Sequence, residues 1–481
     1  MMITYTKKSA PSTVSWLRLL MVAVVAVTTL TDIRVEGLND TATRAIGLGQ
    51  AYTALARGPE AVFWNPANLA LRGFEGEKEP KKFTWEMLSL GGTLVAENNS
   101  FSVQTYNDNF TDPNHEIRGA VKSDLLGDIP SDGLKFNVDF HPVVAALVPI
   151  NGGISFPLPG DIRAAVTTTA AWGIEGEMPK DMIELMLFGN EFDRQYDIAK
   201  WNGSQWAVGG FNFAGAKAWM PSVLKDHLRE FTVGSTLKIL GGIYTEIVRS
   251  DGGFISRPQG TNLDAYAVTQ GGGGVGFGLD LGVAGTTRDG KTVVSIGMLN
   301  LLDTFNWSIK SRQDSVFAKA SNLRVTKFLD PELPKIEEVL ENDDIDGDGE
   351  VDFNTKLSDD SFSRSLPAML RVGVAHQPIE RLTVVGNFDQ AFSDGFGVSS
   401  TPRISTGAEY RLVPWFPTRI GLSLGGRGGS SLGVGLALGP WDVSHVQFQL
   451  LDLAFITRGG LLPGVSKGFV LSATAVRVNF I

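Results

Sequence analysis

Val275-Gly276-Phe277-Gly278-Leu279-Asp280-Leu281-Gly282-Val283 decides how the rest of the chain is read. Odd positions carry large apolar side chains. Even positions carry glycine or, once, aspartate. A period of two is that of a β-strand, with one greasy face and one small or polar face. In a soluble sandwich the greasy face would meet a second sheet. In an outer-membrane barrel it meets lipid, and the small polar face lines the lumen. On that reading Leu279 and Leu281 point outward and Asp280 inward. An arginine at Leu281 should then cost far more than an asparagine at Asp280.

The alternation recurs at Phe231-Thr232-Val233-Gly234-Ser235-Thr236-Leu237-Lys238-Ile239 and at Leu432-Gly433-Val434-Gly435-Leu436-Ala437-Leu438. It recurs again where Leu382, Val384, Gly386 and Phe388 alternate with Thr383, Val385, Asn387 and Asp389. Many such segments behind a secretion signal indicate a membrane barrel. Lys7, Lys8 and Arg18 precede an apolar run from Leu19 to Val27, which Thr28, Thr29 and Asp32 keep short for a membrane span. Residues 1–37 therefore read as a cleavable signal peptide, cut after Val35-Glu36-Gly37.

Bulk composition agrees. The chain has 481 residues with 56 glycines, and charged residues make up only 20%. Glycine-rich and moderately apolar suits barrel walls and tight turns. A net charge of −10 offers no basic surface for nucleic acid. There is no cysteine, hence no thiol chemistry.

Leu38 to Leu71 does not alternate and has helical and turn character. Gly73 to Lys82 is a charged linker. Strands are expected to begin near Phe83 and again near Asn99. Lys122–Gly133 and Pro179–Phe192 read as short helices at the barrel mouth or inside it. Pro179 suits a helix start, and Asp181 and Glu184 suit the positive end of its dipole.

The C-terminal third predicts strands near 366–376, 381–391, 403–412, 419–424, 432–438, 446–456 and 468–480. Tight connections at Gln377–Glu380, Val413–Pro417 and Gly439–Asp442 alternate with Gly-rich or longer ones, the asymmetry of short periplasmic turns against outer loops. Trp415, Phe416 and Trp441 fall in the tight turns, where an aromatic girdle is expected.

Arg44-Ala45-Ile46-Gly47-Leu48-Gly49-Gln50-Ala51-Tyr52-Thr53-Ala54-Leu55-Ala56, followed by Ala61-Val62-Phe63-Trp64-Asn65-Pro66-Ala67, resembles the N-terminus of the FadL/PorV-like outer-membrane barrels. That group includes transporters of fatty acids and aromatic hydrocarbons and barrel subunits of the type IX secretion system. The resemblance extends through Asn98–Val103, Pro179–Leu185, Leu366–Gly373 and Thr401–Tyr410, and so over essentially the whole mature chain. It implies that residues 38–73 form a plug, with Asn65, Pro66 and Ala67 inside the barrel. The local chemistry agrees, because Asn before Pro favours a turn and Pro blocks a helix.

Asp344-Ile345-Asp346-Gly347-Asp348-Gly349-Glu350-Val351-Asp352 places oxygen ligands at calcium-loop positions one, three and five, with Gly at six, Glu350 at seven and Asp352 at nine. The departure is Thr355 at position twelve, where a bidentate Glu normally sits; a solvated acidic loop is the alternative. Asp344, Asp346, Asp348, Glu350 and Asp352 are thus the candidate ligands for a structural Ca²⁺.

Two Gly-x-Ser-x-Gly strings, at 421–425 and 429–433, lie in or between alternating strands and lack the strand–turn–helix context of a nucleophile elbow. Gly271–Gly276 matches a phosphate-loop spacing, but a strand follows it. His115, His141, His227, His376 and His445 have no metal-ligand spacing. No enzyme is indicated.

The reading is an all-β membrane protein, an antiparallel outer-membrane β-barrel of about 14 strands with an N-terminal plug and short helical insertions. The barrel spans 83–481, with 313–364 a long extracellular loop region. It is expected to be a monomer in outer-membrane lipid. Its function is passive transport of hydrophobic small molecules. The alternatives are a PorV-like subunit that handles secreted proteins and a structural barrel.

Overall fold

A computed structural model describes residues 42–74, 83–111, 117–146, 148–258, 260–323 and 354–481. The expected signal peptide, most of the expected linker and the acidic motif at 344–352 lie outside the described residues.

Among the described residues, 14 antiparallel strands close into a barrel. Numbered in chain order, the staves are β1 (Thr84–Asn98), β2 (Leu134–Ala146), β3 (Ile162–Met178), β4 (Asn202–Ala218), β5 (Leu228–Arg257), β6 (Gly260–Thr287) and β7 (Thr292–Asp303). Then follow β8 (Met369–Ile379), β9 (Leu382–Ala391), β10 (Arg403–Val413), β11 (Phe416–Gly425), β12 (Ser431–Leu438), β13 (Leu451–Arg458) and β14 (Gly468–Phe480). Pairing of β14 with β1, from Trp85↔Phe480 to Glu97↔Gly468, closes the ring. No helix among the described residues is long and apolar enough to cross a membrane.

The alternation read from sequence maps onto the wall. Val275, Phe277 and Leu281 are exposed, while Gly276, Gly278 and Asp280 face inward and are buried. The exposed apolar belt continues through Phe211, Phe213, Leu237, Ile239, Ile404 and Ile420. A full ring of exposed apolar side chains around a buried polar lumen is membrane-barrel architecture.

One end of the barrel carries the short connections. There Trp415 stacks on Trp441 at 6.1 Å, and Trp441 on Phe448 at 6.0 Å. The other end carries helices and loops. Helices Val103–Phe110, Ala120–Asp128 and Lys180–Phe188 gather there around Leu125, Ile129, Ile183 and Leu187.

Four local expectations change. Asn99 does not start a strand; β1 ends at Asn98, and Ser102 caps the helix that follows by accepting from Thr105 N. The Gly439–Asp442 connection is not a tight turn. Residues 441–449 form a small hairpin whose second strand pairs with the end of β14, so the strand expected over 446–456 is two strands. Residues 313–323 and 354–363, expected within a long loop, include strand. Asn306–Leu323 continues β7 along β6 and pairs back with 354–358 and 362–363, which carries the sheet beyond the closed barrel. Only Trp307, Ile309, Val316 and Phe317 of this segment are strong β-formers, so its pairing along β6 carries the overrun; periodicity alone does not say where a barrel stops.

The fourth concerns Asp280. It is fully buried and paired with Lys238 Nζ at 2.9 Å, and it accepts from Asn300 N at 2.7 Å. Its inward face is packed rather than water-filled. Losing the carboxylate strands a buried ammonium, so Asp280→Asn is not a mild change.

Candidate functional site

Residues 42–74 thread the lumen near the turn end. They form short helical turns at Thr43–Gly47, Ala61–Trp64 and Pro66–Leu69. The seat for these turns is glycine. A methyl group built on Gly234 would come within 2.5 Å of Ala67 N, on Gly407 within 2.6 Å of Leu48 O, and on Gly433 within 2.6 Å of Ile46 O. On Gly282 it would overlap the Asn65 side chain, and on Gly421 the Leu48 backbone. The small face of the staves is thus the mould of the plug.

Asn65 is fully buried. Its Oδ1 accepts from Ala67 N at 3.0 Å, and its Nδ2 faces Val283 O, Ser295 Oγ and Ile296 O at 3.0, 2.6 and 3.1 Å. Pro66 opens the next helical turn, and Ala67 is buried against β5. Ser295 Oγ also bonds Asn68 Oδ1 at 3.0 Å, and Asn68 Nδ2 donates to Thr53 O at 2.7 Å. These three motif residues fold the plug onto β5–β7.

Ion pairs tie the plug to the opposite wall. Arg44 makes a bidentate pair with Glu409 at 2.8 and 2.9 Å, and Arg419 reaches the same carboxylate at 2.9 Å and Asp452 at 2.5 Å. Glu60 accepts from Tyr52 OH and from Arg477, both at 2.7 Å. Burial raises the Glu60 carboxyl, but the Arg477 charge and the Tyr52 hydrogen bond outweigh it and hold it below the ordinary carboxylate value. Burial and the Glu60 charge push the Tyr52 hydroxyl up. Arg371 lies 4.4 Å over the Trp64 ring.

The wall has a break. β2 and β3 pair from Leu134↔Met178 to Phe140↔Trp172. Beyond that point β2 folds back on Val148–Ile150, while Gly153–Leu158 pairs with β3 on one side and with Thr84 and Trp85 of β1 on the other, so the sheet is rejoined past a local gap. One side chain spans the seam. Asn151 Nδ2 donates to Pro142 O at 2.8 Å and to Ala170 O at 2.6 Å, and its Oδ1 accepts from Ala170 N at 2.7 Å. Asn151 has a φ of 55°, a conformation asparagine tolerates better than most residues.

Outside the seam lies an apolar groove of about 460 Å³, lined among others by Phe140, Pro142, Ala170, Trp172, Gly209 and Ile243. The small outward residues at its floor leave a dent in an otherwise bulky belt. Inside, beside the seam, His141 is fully buried and neither ring nitrogen has a hydrogen-bond partner among the described residues.

Toward the loop end an aromatic cluster fills the lumen, with Trp206, Tyr244, Phe305, Trp307 and Phe396 packed together and Phe362 against them. The cluster, the seam and the ion pairs were not anticipated from sequence. Their one legible signal was charge on the inward register of neighbouring staves, as at Glu409 and Arg419.

The acidic motif Asp344, Asp346, Asp348, Glu350 and Asp352 lies outside the described residues. Among the described residues no group of three or more acidic or histidine side chains could hold a metal. Gly421–Gly425 lies within β11 with no helix after it, so Ser423 is not on an elbow.

A family model described as a family of unknown function (DUF5723) matches residues 246–448. No curated protein matches the chain. Among solved structures, the Ralstonia pickettii toluene transporter TbuX is 14% identical with a TM-score of 0.45, over 92% of this chain and 98% of that one. The Pseudomonas putida toluene transporter TodX is 11% identical with a TM-score of 0.45, over 92% and 98%. A Pseudomonas aeruginosa FadL homologue is 11% identical with a TM-score of 0.44, over 93% and 97%.

Proposed function

We propose that this chain is an outer-membrane barrel for passive passage of hydrophobic small molecules. The observation that carries the reading is the seam between β2 and β3, closed by the Asn151 side chain and opening outward onto an apolar groove. A plugged lumen denies an apolar solute a straight aqueous path. A weak point in the wall that faces hydrocarbon gives it a sideways one, and three hydrogen bonds to one amide are a barrier that thermal motion can cross. The names of the transporters with similar folds agree with this substrate class. The N-terminal signal features support export to the outer membrane.

The chain has no cysteine, so Pro142→Cys with Ala170→Cys gives a unique pair across the seam. Cross-linking the pair should stop uptake of long-chain fatty acids or hydrocarbons by cells, and reversing the cross-link should restore it. Uptake that ignores the cross-link overturns the lateral route. The same strain background, deleted for the gene, tests the secretion alternative: a changed secreted proteome with normal uptake favours a PorV-like subunit.

A calcium-held outer loop is proposed from the spacing of Asp344, Asp346, Asp348, Glu350 and Asp352 alone. Millimolar calcium should protect the region 330–364 from external protease, and Asp346→Ala with Asp348→Ala should abolish that protection. Calcium-independent cleavage of the wild type returns the motif to a solvated acidic loop.

A further inference from the structure

One inward rung near the loop end carries polar side chains on six neighbouring staves. Cross-strand pairing runs through Glu97 (β1), Asn137 (β2), Glu175 (β3), Ser204 (β4), Glu246 (β5) and Gln270 (β6). An acid thus stands on every second stave. Asp139 follows Asn137 by two residues and so faces the same way. Arginines reach this rung from loops. Arg427, between β11 and β12, lies 2.7 Å from Glu175 and 3.5 Å from Glu97, and Arg364 lies 3.2 Å from Glu246.

Asp139 has no such answer. It is fully buried, its Oδ2 accepts from Asn137 Nδ2 at 2.9 Å, and its Oδ1 has no hydrogen-bond partner among the described residues. Asn137 is buried as deeply, and its Oδ1 has no partner there either. The same Asn137 nitrogen faces Glu97 Oε1 at 3.5 Å, so one amide sits between two carboxylates. Like charges this close repel strongly where water is excluded, and buried charges are paired or coordinate metals. Arg427 contacts Glu175 and Glu97 and leaves Asp139 without a cation in contact. A buried water would cap the oxygen but bring no charge. On the β3 side the neighbour is Gly173, where a methyl group would come within 2.5 Å of Asp139 Oδ1 and 2.6 Å of the Trp206 ring. The oxygen and the indole edge therefore lie against the same point.

We propose that Asp139 and Asn137, through their Oδ1 atoms, bind a calcium ion together with the Glu97 carboxylate. Two carboxylates and an amide carbonyl are hard oxygen donors, with no nitrogen or sulfur ligand to favour a transition metal, and calcium fills its remaining positions with water. The ion supplies the positive charge that the buried pair lacks. It joins β1 to β2 at the rung where Arg427 fastens the β11–β12 loop, so occupancy ties the mouth of the barrel together. The site is separate from the acidic motif at 344–352 and does not rest on the transport reading.

The test uses the full chain in detergent, stripped with chelator and carrying Asp346→Ala and Asp348→Ala so that the acidic loop is silent. Calcium should raise the temperature of unfolding, because it binds the folded barrel alone. Terbium, a luminescent ion of calcium's size, should emit on tryptophan excitation, because Trp206 adjoins Asp139. Adding Asp139→Asn should weaken terbium binding by at least the roughly tenfold that loss of an outer partner costs a metal site. It should also abolish the calcium shift. In chelator the same variant should unfold no lower than its parent, because it removes one of two repelling charges; that sign separates a lost ligand from a damaged fold. Trp206→Phe should lose most of the emission and keep the calcium shift. A parent protein with neither calcium shift nor terbium emission overturns the proposal: a proton or a water then satisfies Asp139. A calcium shift that survives Asp139→Asn overturns it too.

Discussion

The two ends of the lumen are closed in opposite ways. Toward the turns, closure is backbone against backbone: glycines on β5, β6, β10, β11 and β12 admit the plug, and ion pairs from Arg44 and Glu60 fasten it. Toward the loops, closure is side chain against side chain: Trp206, Tyr244, Phe305, Trp307 and Phe396 pack together, and Phe396 sits at a φ of 51°. The difference teaches which end is built to stay shut. The turn end is held by seated backbone and by ion pairs together, the loop end by packed rings.

The largest expected effect breaks the fastening. Glu409→Gln leaves Arg419 buried with half its partners and releases Arg44, at a cost of about 3–5 kcal/mol. Cells carrying it should admit large antibiotics, while the folded barrel still shifts on unboiled gels. Unchanged permeability would show that the glycine seat alone holds the plug.

The seat itself comes next. Gly421→Ala pushes a methyl into the Leu48 backbone, an overpacking worth about 1–3 kcal/mol. The same change at Gly386, where the nearest neighbour lies 4.0 Å away, should leave permeability and thermal unfolding alone. Equal effects at the two glycines would mean that the mould is not specific.

Phe396→Asn tests the other end and should destabilise the barrel by about 2 kcal/mol: emptying a buried ring site costs about 3–5 kcal/mol, and relief of backbone strain offsets about 1–3 kcal/mol of it. Unchanged thermal unfolding would show that the ring cluster does not hold the loop end.

The smallest effect is pH-dependent. Glu60 has a lowered carboxyl pKa in the folded chain, so its contribution is fully present above the unfolded value and fades only as pH falls through the folded one. Protection of residues 58–69 from hydrogen exchange should therefore survive acidification past the ordinary carboxylate range, and Glu60→Gln should lower that protection at neutral pH as well as in acid. Loss of protection in wild type already near the ordinary glutamate value would sink the Glu60–Arg477 tie.

Strand order and facing in the C-terminal third were legible because β8–β12 alternate in facing, with tight turns between β8 and β9 and between β10 and β11. Leu432, Val434 and Leu436 face out while Gly433 and Gly435 meet the plug. The Asn65-Pro66-Ala67 turn was legible as a turn, since Asn and Pro act on their own backbone. The hairpin at 441–449 was not, because nothing in a run of apolar residues marks where a strand leaves one neighbour for another. Asp280 was legible as inward but not as paired; its partner Lys238 lies one stave away, and register alone brings the two together.

By itself, then, the sequence determined the membrane wall: a period of two fixes which side chains meet lipid, since that choice is local and each residue makes it with its own backbone. Glycine abundance on the inner register belongs there too, as a pattern. Only the tertiary structure decided what the glycines are for, where the β2–β3 pairing stops, and that Phe396 fills the box of Trp206, Tyr244 and Trp307. Those outcomes depend on groups far apart in the chain meeting at a few ångströms, and closing the ring of staves is what sets those distances.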